Sequence, residues 1–342
     1  MRILVTGCTG FAGSHLCDFL AELPDIELYG VKRWRSSLKN IVHLGDKIKL
    51  LDGDLTDPSA VRRVLEEAKP DFIFHLAAQS FVKGSFDQPR ETMHTNIMSE
   101  INLLHGLREN LAGGMLVAGS SDEYGKVTLN DCPVNESQPL RPLSPYAVSK
   151  VAQDLLAYQY HQSYGVRVVR CRAFNHEGPR RNDVFMMSNF AKQIAQIEAG
   201  QQDPIVRVGN LEPVRDFTDV RDTVRAYWAL SHQGVSGEVY NICSGVDGAY
   251  SILDVLNMLL LASTRSDIEV RVEEKRLRPS DIPYLIGDAT RLQQLTGWTV
   301  SIPFKKTLAD LLDYWRTEIG SSGNKKKQES VFSVLNPGHL EK

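Results

Sequence analysis

The chain is predicted to belong to the α/β class, with a doubly wound parallel sheet and a smaller mixed α/β lobe behind it. Three observations predict this. Short apolar runs alternate with amphipathic stretches across residues 2–174, the pattern that builds right-handed βαβ units and a parallel sheet. The first run turns directly into a glycine-rich segment, "TGCTGFAGSHL". The length of 342 residues, 42% hydrophobic and 24% charged, suits one large or two unequal globular domains.

Taken in order, strands are expected at residues 2–7, 27–33, 48–54, 72–78, 114–121 and 166–174, and again at 237–245. Helices such as "SHLCDFLAEL" and "PSAVRRVLEEAKP" lie between them. Residues 1–175 form the dinucleotide-binding domain, to which 208–243 return. Residues 176–207 and 244–318 form the smaller lobe, whose last helix is "FKKTLADLLDYWRTEI". Residues 319–342 are polar with little periodicity and read as a flexible tail.

Composition narrows the function. A net charge of −3 gives no reason to expect nucleic-acid or membrane binding. No apolar run reaches the roughly 18 residues that span a bilayer, and the N-terminus reads as a strand and turn, not a signal peptide. The cysteines at 8, 17, 132, 171 and 243 form no CxxC and no zinc-like cluster with histidine. Reduced thiols in a cytoplasmic, metal-free protein are expected.

In the first turn Gly7, Gly10 and Gly13 are spaced GxxGxxG between a strand and a helix. Gly7 permits the tight turn, Gly10 lets backbone N–H groups approach a pyrophosphate, and Gly13 lets the helix pack on the sheet. Thr9 and Phe11 lie in the same turn. A dinucleotide site is the functional reading; a purely structural glycine turn is the alternative. An NAD-selective site places an acidic residue at the end of the second strand. Lys32, Arg33 and Arg35 stand there instead, so NADP is preferred over NAD unless these charges simply face water. Asp54 and Leu55 end the third strand, where an aspartate can bond the adenine. Leu76, Ala77 and Ala78 end the fourth and leave room for a cofactor.

"SPYAVSK" places Tyr146 and Lys150 on one face of a helix. A phenol with a pKa near 10 is a poor base at neutral pH; a nearby ammonium favours phenolate. The pair can take a proton from a carbinol or return one to a carbonyl. Ser120, at the end of the fifth strand, can hydrogen-bond the same oxygen. Ser120, Tyr146 and Lys150 behind a glycine turn resemble the short-chain dehydrogenase/reductase superfamily, in its extended, sugar-nucleotide branch. The resemblance spans about residues 1–318 and implies a Rossmann domain with a substrate lobe.

"GSSDEYG" (119–125) adds a second chemistry. On a strand Asp122 faces the same way as Ser120, and Glu123 the other way. A carboxylate at 122 can take the C5 proton of a 4-keto sugar and let the C6 hydroxyl leave; a capping carboxylate is the plain alternative. "RAFNHEGPRRNDVF" (172–185), "VGNLEPVRDFTDVRD" (208–222) and "LRPSDIP" (277–283) resemble the paired enzymes of GDP-6-deoxyhexose synthesis. These are GDP-mannose 4,6-dehydratase and GDP-4-keto-6-deoxymannose reductase. The resemblance implies that Asn175 contacts substrate, that His176 and Arg181 contact cofactor, and that Arg215 and Arg278 hold the diphosphate. Two guanidinium groups suit a pyrophosphate. Ser80, Ser85 and Glu123 are carried as further substrate contacts.

The basic "KRWRSSLKNIVHL" loop, "FNHEGPRRN" and the carboxylate at 122 resemble the dehydratase. The Ser120/Asp122 pair in place of Thr and Glu, Ser188-Asn189 in place of a basic pair, and "RPSDIP" resemble the reductase. The leading expectation is the dehydratase, acting on a GDP-hexose as a homodimer or homotetramer. The reductase is the alternative. A 4-epimerase or a catalytically silent NADP-binding sensor is more distant.

Overall fold

The computed structural model describes residues 1–277 and 282–335. The strands of the first half are β1 (Arg2–Thr6), β2 (Glu27–Lys32), β3 (Ile48–Asp52), β4 (Phe72–His75), β5 (Met115–Ser120) and β6 (Val168–Ala173). Between them run α1 (Phe11–Ala21), α2 (Pro58–Ala68), α3 (Val82–Asp87), α4 (Pro89–Arg108) and α5 (Pro145–Tyr164). The second half contains β7 (Asn175–Glu177), α6 (Met186–Glu198), β8 (Ile205–Val208), β9 (Val214–Asp219), α7 (Val220–Gln233) and β10 (Val239–Ile242). It closes with β11 (Ala249–Ser251), α8 (Ile252–Leu261), β12 (Glu269–Val272), β13 (Tyr284–Leu285), α9 (Thr290–Thr296) and α10 (Phe304–Leu335).

Among the described residues the large sheet has seven strands in the order β10-β6-β5-β4-β1-β2-β3, each pair parallel. Both faces are covered, which is why β4 and β6 are buried at every position. Alternation splits the core. Ile3, Val5, Phe72 and Phe74 face α1 and α7, where Leu16 and Tyr227 lie. Leu4 and Ile73 face α2, α4 and α5, against Leu65, Leu104 and Ala157. A separate core holds the lobe, with Met187 and Ile194 of α6, Val255 and Leu259 of α8, and Leu308 and Leu311 of α10.

Two boundaries move. Val214–Asp219 does not return to the large sheet with the rest of 208–243. It is β9, which pairs with β7, β11 and β13 in the lobe. The return begins at Val220, where Asp219 caps α7 by accepting from Arg221 N–H at 2.8 Å. The last helix also continues past Ile319, to Leu335. Its continuation contains no proline before Pro337, and glycine alone weakens a helix without ending it. Among the described residues no helix is long and apolar enough to cross a membrane.

Candidate active site

The carboxyl ends of the sheet strands open into a cavity of about 1070 Å³. Gly7, Thr9, Gly10, Phe11 and Gly13 line it from the first turn, and Arg33 from the end of β2. Asp54 and Leu55 follow β3; Leu76, Ala77, Ala78 and Ser80 follow β4. Ser120, Asp122, Tyr146 and Lys150 line its floor, and Asn175, His176, Arg181 and Arg215 its lobe side. Topology brings these positions together, because parallel strands present all their carboxyl ends at one edge.

The glycine turn has no space for side chains. Gly7 has φ +70°, and a Cβ there would lie 2.9 Å from the Ala77 nitrogen. At Gly13 a Cβ would lie 2.1 Å from the Gly7 carbonyl oxygen. Thr6 Oγ1 secures the neighbouring loop by accepting from the N–H groups of Leu76 and Ala77, both at 3.2 Å.

The start of α5 is a built feature. Ser144 caps it by accepting from Ala147 N–H at 3.1 Å, and Pro145 occupies the first turn. Gly165, at φ +68°, ends it. Tyr146 and Lys150 are thereby held on one buried face. Lys150 Nζ donates to the Ala118 carbonyl at 2.8 Å. The Ser120 hydroxyl lies near enough to the Tyr146 phenol to favour its ionised form. Burial pushes the phenol well above its ordinary pKa, the Asp122 carboxylate pushes it further, and Ser120 opposes them. Tyr146 therefore rests protonated. A nearby ammonium was expected to lower the phenol's pKa; here the cost of taking an anion out of water outweighs the cation that opposes it, Arg181.

Several expected positions fall elsewhere. Asp122 is not on a strand. β5 ends at Ser120, and Ser121–Glu123 forms a 3-10 turn. Ser120 accepts from Asp122 N–H at 3.2 Å, and Glu123 accepts from Ser120 N–H at 2.7 Å. That is a capping box, and its Ser-x-x-Glu spacing was the signal in the sequence. Glu123 consequently lies beneath the cavity, fully buried, with Arg172 Nε at 3.3 Å. Ser85 is also buried and outside the cavity lining; its hydroxyl accepts from Tyr146 N–H at 3.1 Å. Arg35 is not in the lining either, its guanidinium standing 5.1 Å from the exposed Trp34 ring. Arg278 lies outside the described residues.

Among the residues around the cavity, Arg181, Phe11 and His176 were expected, whereas Glu177, Lys83 and Arg276 had no clear sequence signal. Arg181 is sandwiched between the rings of Phe185 (3.7 Å) and Phe11 (4.9 Å), and Phe11 stacks on His176 at 5.9 Å. Glu177, 3.8 Å from Arg181, is pushed up to about 7 by burial, with Arg181 opposing. Lys83 crosses from α3 to donate to the Lys275 carbonyl at 2.8 Å. Arg276 and Asn189 meet in the lobe wall at 3.1 Å, while Ser188 turns inward to donate to the Arg181 carbonyl at 2.6 Å.

The family model described as GDP-mannose 4,6 dehydratase matches residues 4–311. The chain belongs to that family. It is 33% identical to the GDP-6-deoxy-D-mannose reductase of Pseudomonas aeruginosa, over 93% of this chain and 98% of that protein. It is 30% identical to the GDP-mannose 4,6-dehydratase of Yersinia enterocolitica, over 91% and 92%. Among solved structures, RMD from Pseudomonas aeruginosa complexed with NADPH matches with a TM-score of 0.77 and 30% identity, over 93% of this chain and all of that one. DesIV, a dTDP-glucose 4,6-dehydratase from Streptomyces venezuelae with NAD and TYD bound, matches with a TM-score of 0.84 and 25% identity, over 94% and 98%. These are extended short-chain dehydrogenase/reductase proteins, and this chain shares their Rossmann fold.

Proposed function

We propose that the protein is an NADP-dependent GDP-mannose 4,6-dehydratase, converting GDP-mannose to GDP-4-keto-6-deoxymannose and water. One observation carries this reading. Asp122 and Tyr146 face one cavity, close enough for the carboxylate to shift the phenol. Reduction of a ketone needs one proton donor; dehydration needs a second acid–base group.

The first turn fits a dinucleotide, since a Cβ at Gly7 or Gly13 would fill the space that bare backbone leaves. Gly7 to Gly13 would hold its pyrophosphate, Asp54 its adenine, and Lys150 its nicotinamide ribose. Lys32, Arg33 and Ser36 line the cavity past β2 with no carboxylate among them, which favours a 2′-phosphate. When bound, the nicotinamide would supply the hydride acceptor for oxidation at C4 and the hydride donor for reduction at C6. Tyr146 takes the C4 hydroxyl proton at its Oη once ionised, and Ser120 orients that oxygen. Asp122 removes the C5 proton and returns it to C5 when C6 is reduced. The C6 hydroxyl leaves as water with the proton that Tyr146 took from the C4 hydroxyl, relayed by Ser120. Arg215 is placed to neutralise the diphosphate.

A specific observation favours a second reading. Burial, reinforced by Asp122, holds Tyr146 protonated, and a protonated phenol is what GDP-4-keto-6-deoxymannose reductase requires. One assay separates them. Purified protein is incubated with GDP-mannose and catalytic NADP⁺. A 4-keto product by mass spectrometry, with no net cofactor turnover, supports the dehydratase. Stoichiometric NADPH oxidation only when the ketosugar is supplied makes it the reductase.

A further inference from the structure

Beneath the cavity floor lies a cluster of buried charges that the reaction does not use directly. Arg170 and Arg172 on β6 both pair with Asp154 of α5, the Arg172 contact at 2.8 Å, and Arg172 also meets Glu123. Those four charges balance. Lys150 feels two carboxylates, Glu100 of α4 first and then Glu123, and Glu123 is already engaged by Arg172.

Glu100 is wholly buried, and neither carboxylate oxygen has a hydrogen-bond partner. Packing places it there. Asn96, one turn earlier on α4, donates to Ser149 Oγ at 2.8 Å and accepts from Gln153 Nε2 at its carbonyl, also at 2.8 Å. Glu100 therefore faces the α5 turn that carries Lys150 and Gln153. Burial pushes the Glu100 carboxyl well up and the Lys150 ammonium down, and the charge of each group opposes the other's shift. The Lys150 charge and the Gln153 side chain both favour the ionised form of Glu100. The other groups facing the pair are Asp154, Glu123, His75 of β4 and Cys171 of β6. Burial drives His75 down to about 3, so it is neutral at working pH.

We propose that Glu100 is the buried counter-ion of Lys150, a positioning residue that keeps the lysine charged beside Tyr146. This rests on the acid–base role assigned to Tyr146 and Lys150 in the proposed reaction. A lysine taken out of water without a counter-ion gives up its proton, and the phenol then loses its cationic neighbour.

The test joins two measurements. In the first, kcat/KM is followed against pH for wild type, Glu100→Gln and Glu100→Asp. Glu100→Gln is expected to move the basic limb at least one pH unit lower and to reduce kcat at neutral pH about tenfold. The KM for sugar should stay within about twofold, and Glu100→Asp should recover part of the shift. The second measurement is a thermal-stability cycle over Lys150→Met, Glu100→Gln and the double variant, which needs no turnover. The double variant is expected to melt above Lys150→Met alone, because it removes the carboxylate left stranded. An unmoved basic limb, or stability changes that simply add, overturns the proposal. If wild type turns over neither GDP-mannose nor the ketosugar, the proposed reaction fails. The melting cycle, with the pH dependence of NADPH binding in wild type and Glu100→Gln, still decides Glu100.

Discussion

The backbone N–H of Tyr146 donates to the hydroxyl of Ser85 at 3.1 Å, across 61 residues of sequence. Ser85 in turn donates to the Val82 carbonyl at 2.6 Å. The helix that carries the phenol is thus fixed from α3, a short helix whose neighbours Phe81, Val82 and Lys83 line the cavity. Ser85→Ala should lower stability by about 1–2 kcal/mol, the value of one buried hydrogen bond. It should reduce kcat more than it raises KM, as steady-state kinetics on the folded variant would show.

Asp122→Asn separates the two chemistries of the cavity. The carboxylate raises the Tyr146 pKa, so a neutral amide lowers it. The basic limb of ketosugar reduction, where a protonated phenol is needed, then moves to lower pH. Dehydration should fall at least about a hundredfold for want of its base, while reduction, if present, persists at acid pH. Full dehydratase activity in this variant would remove Asp122 from the mechanism.

Tyr146→Phe removes the phenol oxygen and leaves the ring in place. Either reaction should slow at least about a hundredfold. NADPH affinity, measured by fluorescence titration, should change little.

Gly13→Ala puts a methyl 2.1 Å from the Gly7 carbonyl oxygen. The contact is backbone to backbone and cannot be relieved by a rotamer change, so α1 must shift. Overpacking of about 1–3 kcal/mol corresponds to roughly tenfold or more in NADPH affinity. Arg33→Ala, in contrast, should weaken NADPH about ten- to a hundredfold and leave NADH nearly unchanged, since the lost bond is charge-assisted and made only to the 2′-phosphate.

Asp154→Asn leaves buried Arg170 with a neutral partner and Arg172 with Glu123 as its remaining carboxylate. It should lower unfolding free energy by about 3–5 kcal/mol in denaturant titration. The loss should exceed that from any exposed pair, such as Arg62 with Glu66, where water screens the charges.

The sequence by itself determined the parallel sheet, the glycine turn and the Ser120, Tyr146 and Lys150 set. All three are written in local spacing: apolar runs between amphipathic stretches, glycines between strand and helix, two residues one helical turn apart. Only the tertiary structure decided that Glu123 lies under the floor, that Ser85 anchors a backbone and that Arg35 stays outside. The same is true of Glu100, which faces the helical turn of Lys150 because α4 packs on α5. Charge and hydroxyl chemistry look alike in a linear chain whether they face solvent, ligand or core. Burial separates those cases, and burial is set by which distant element packs above.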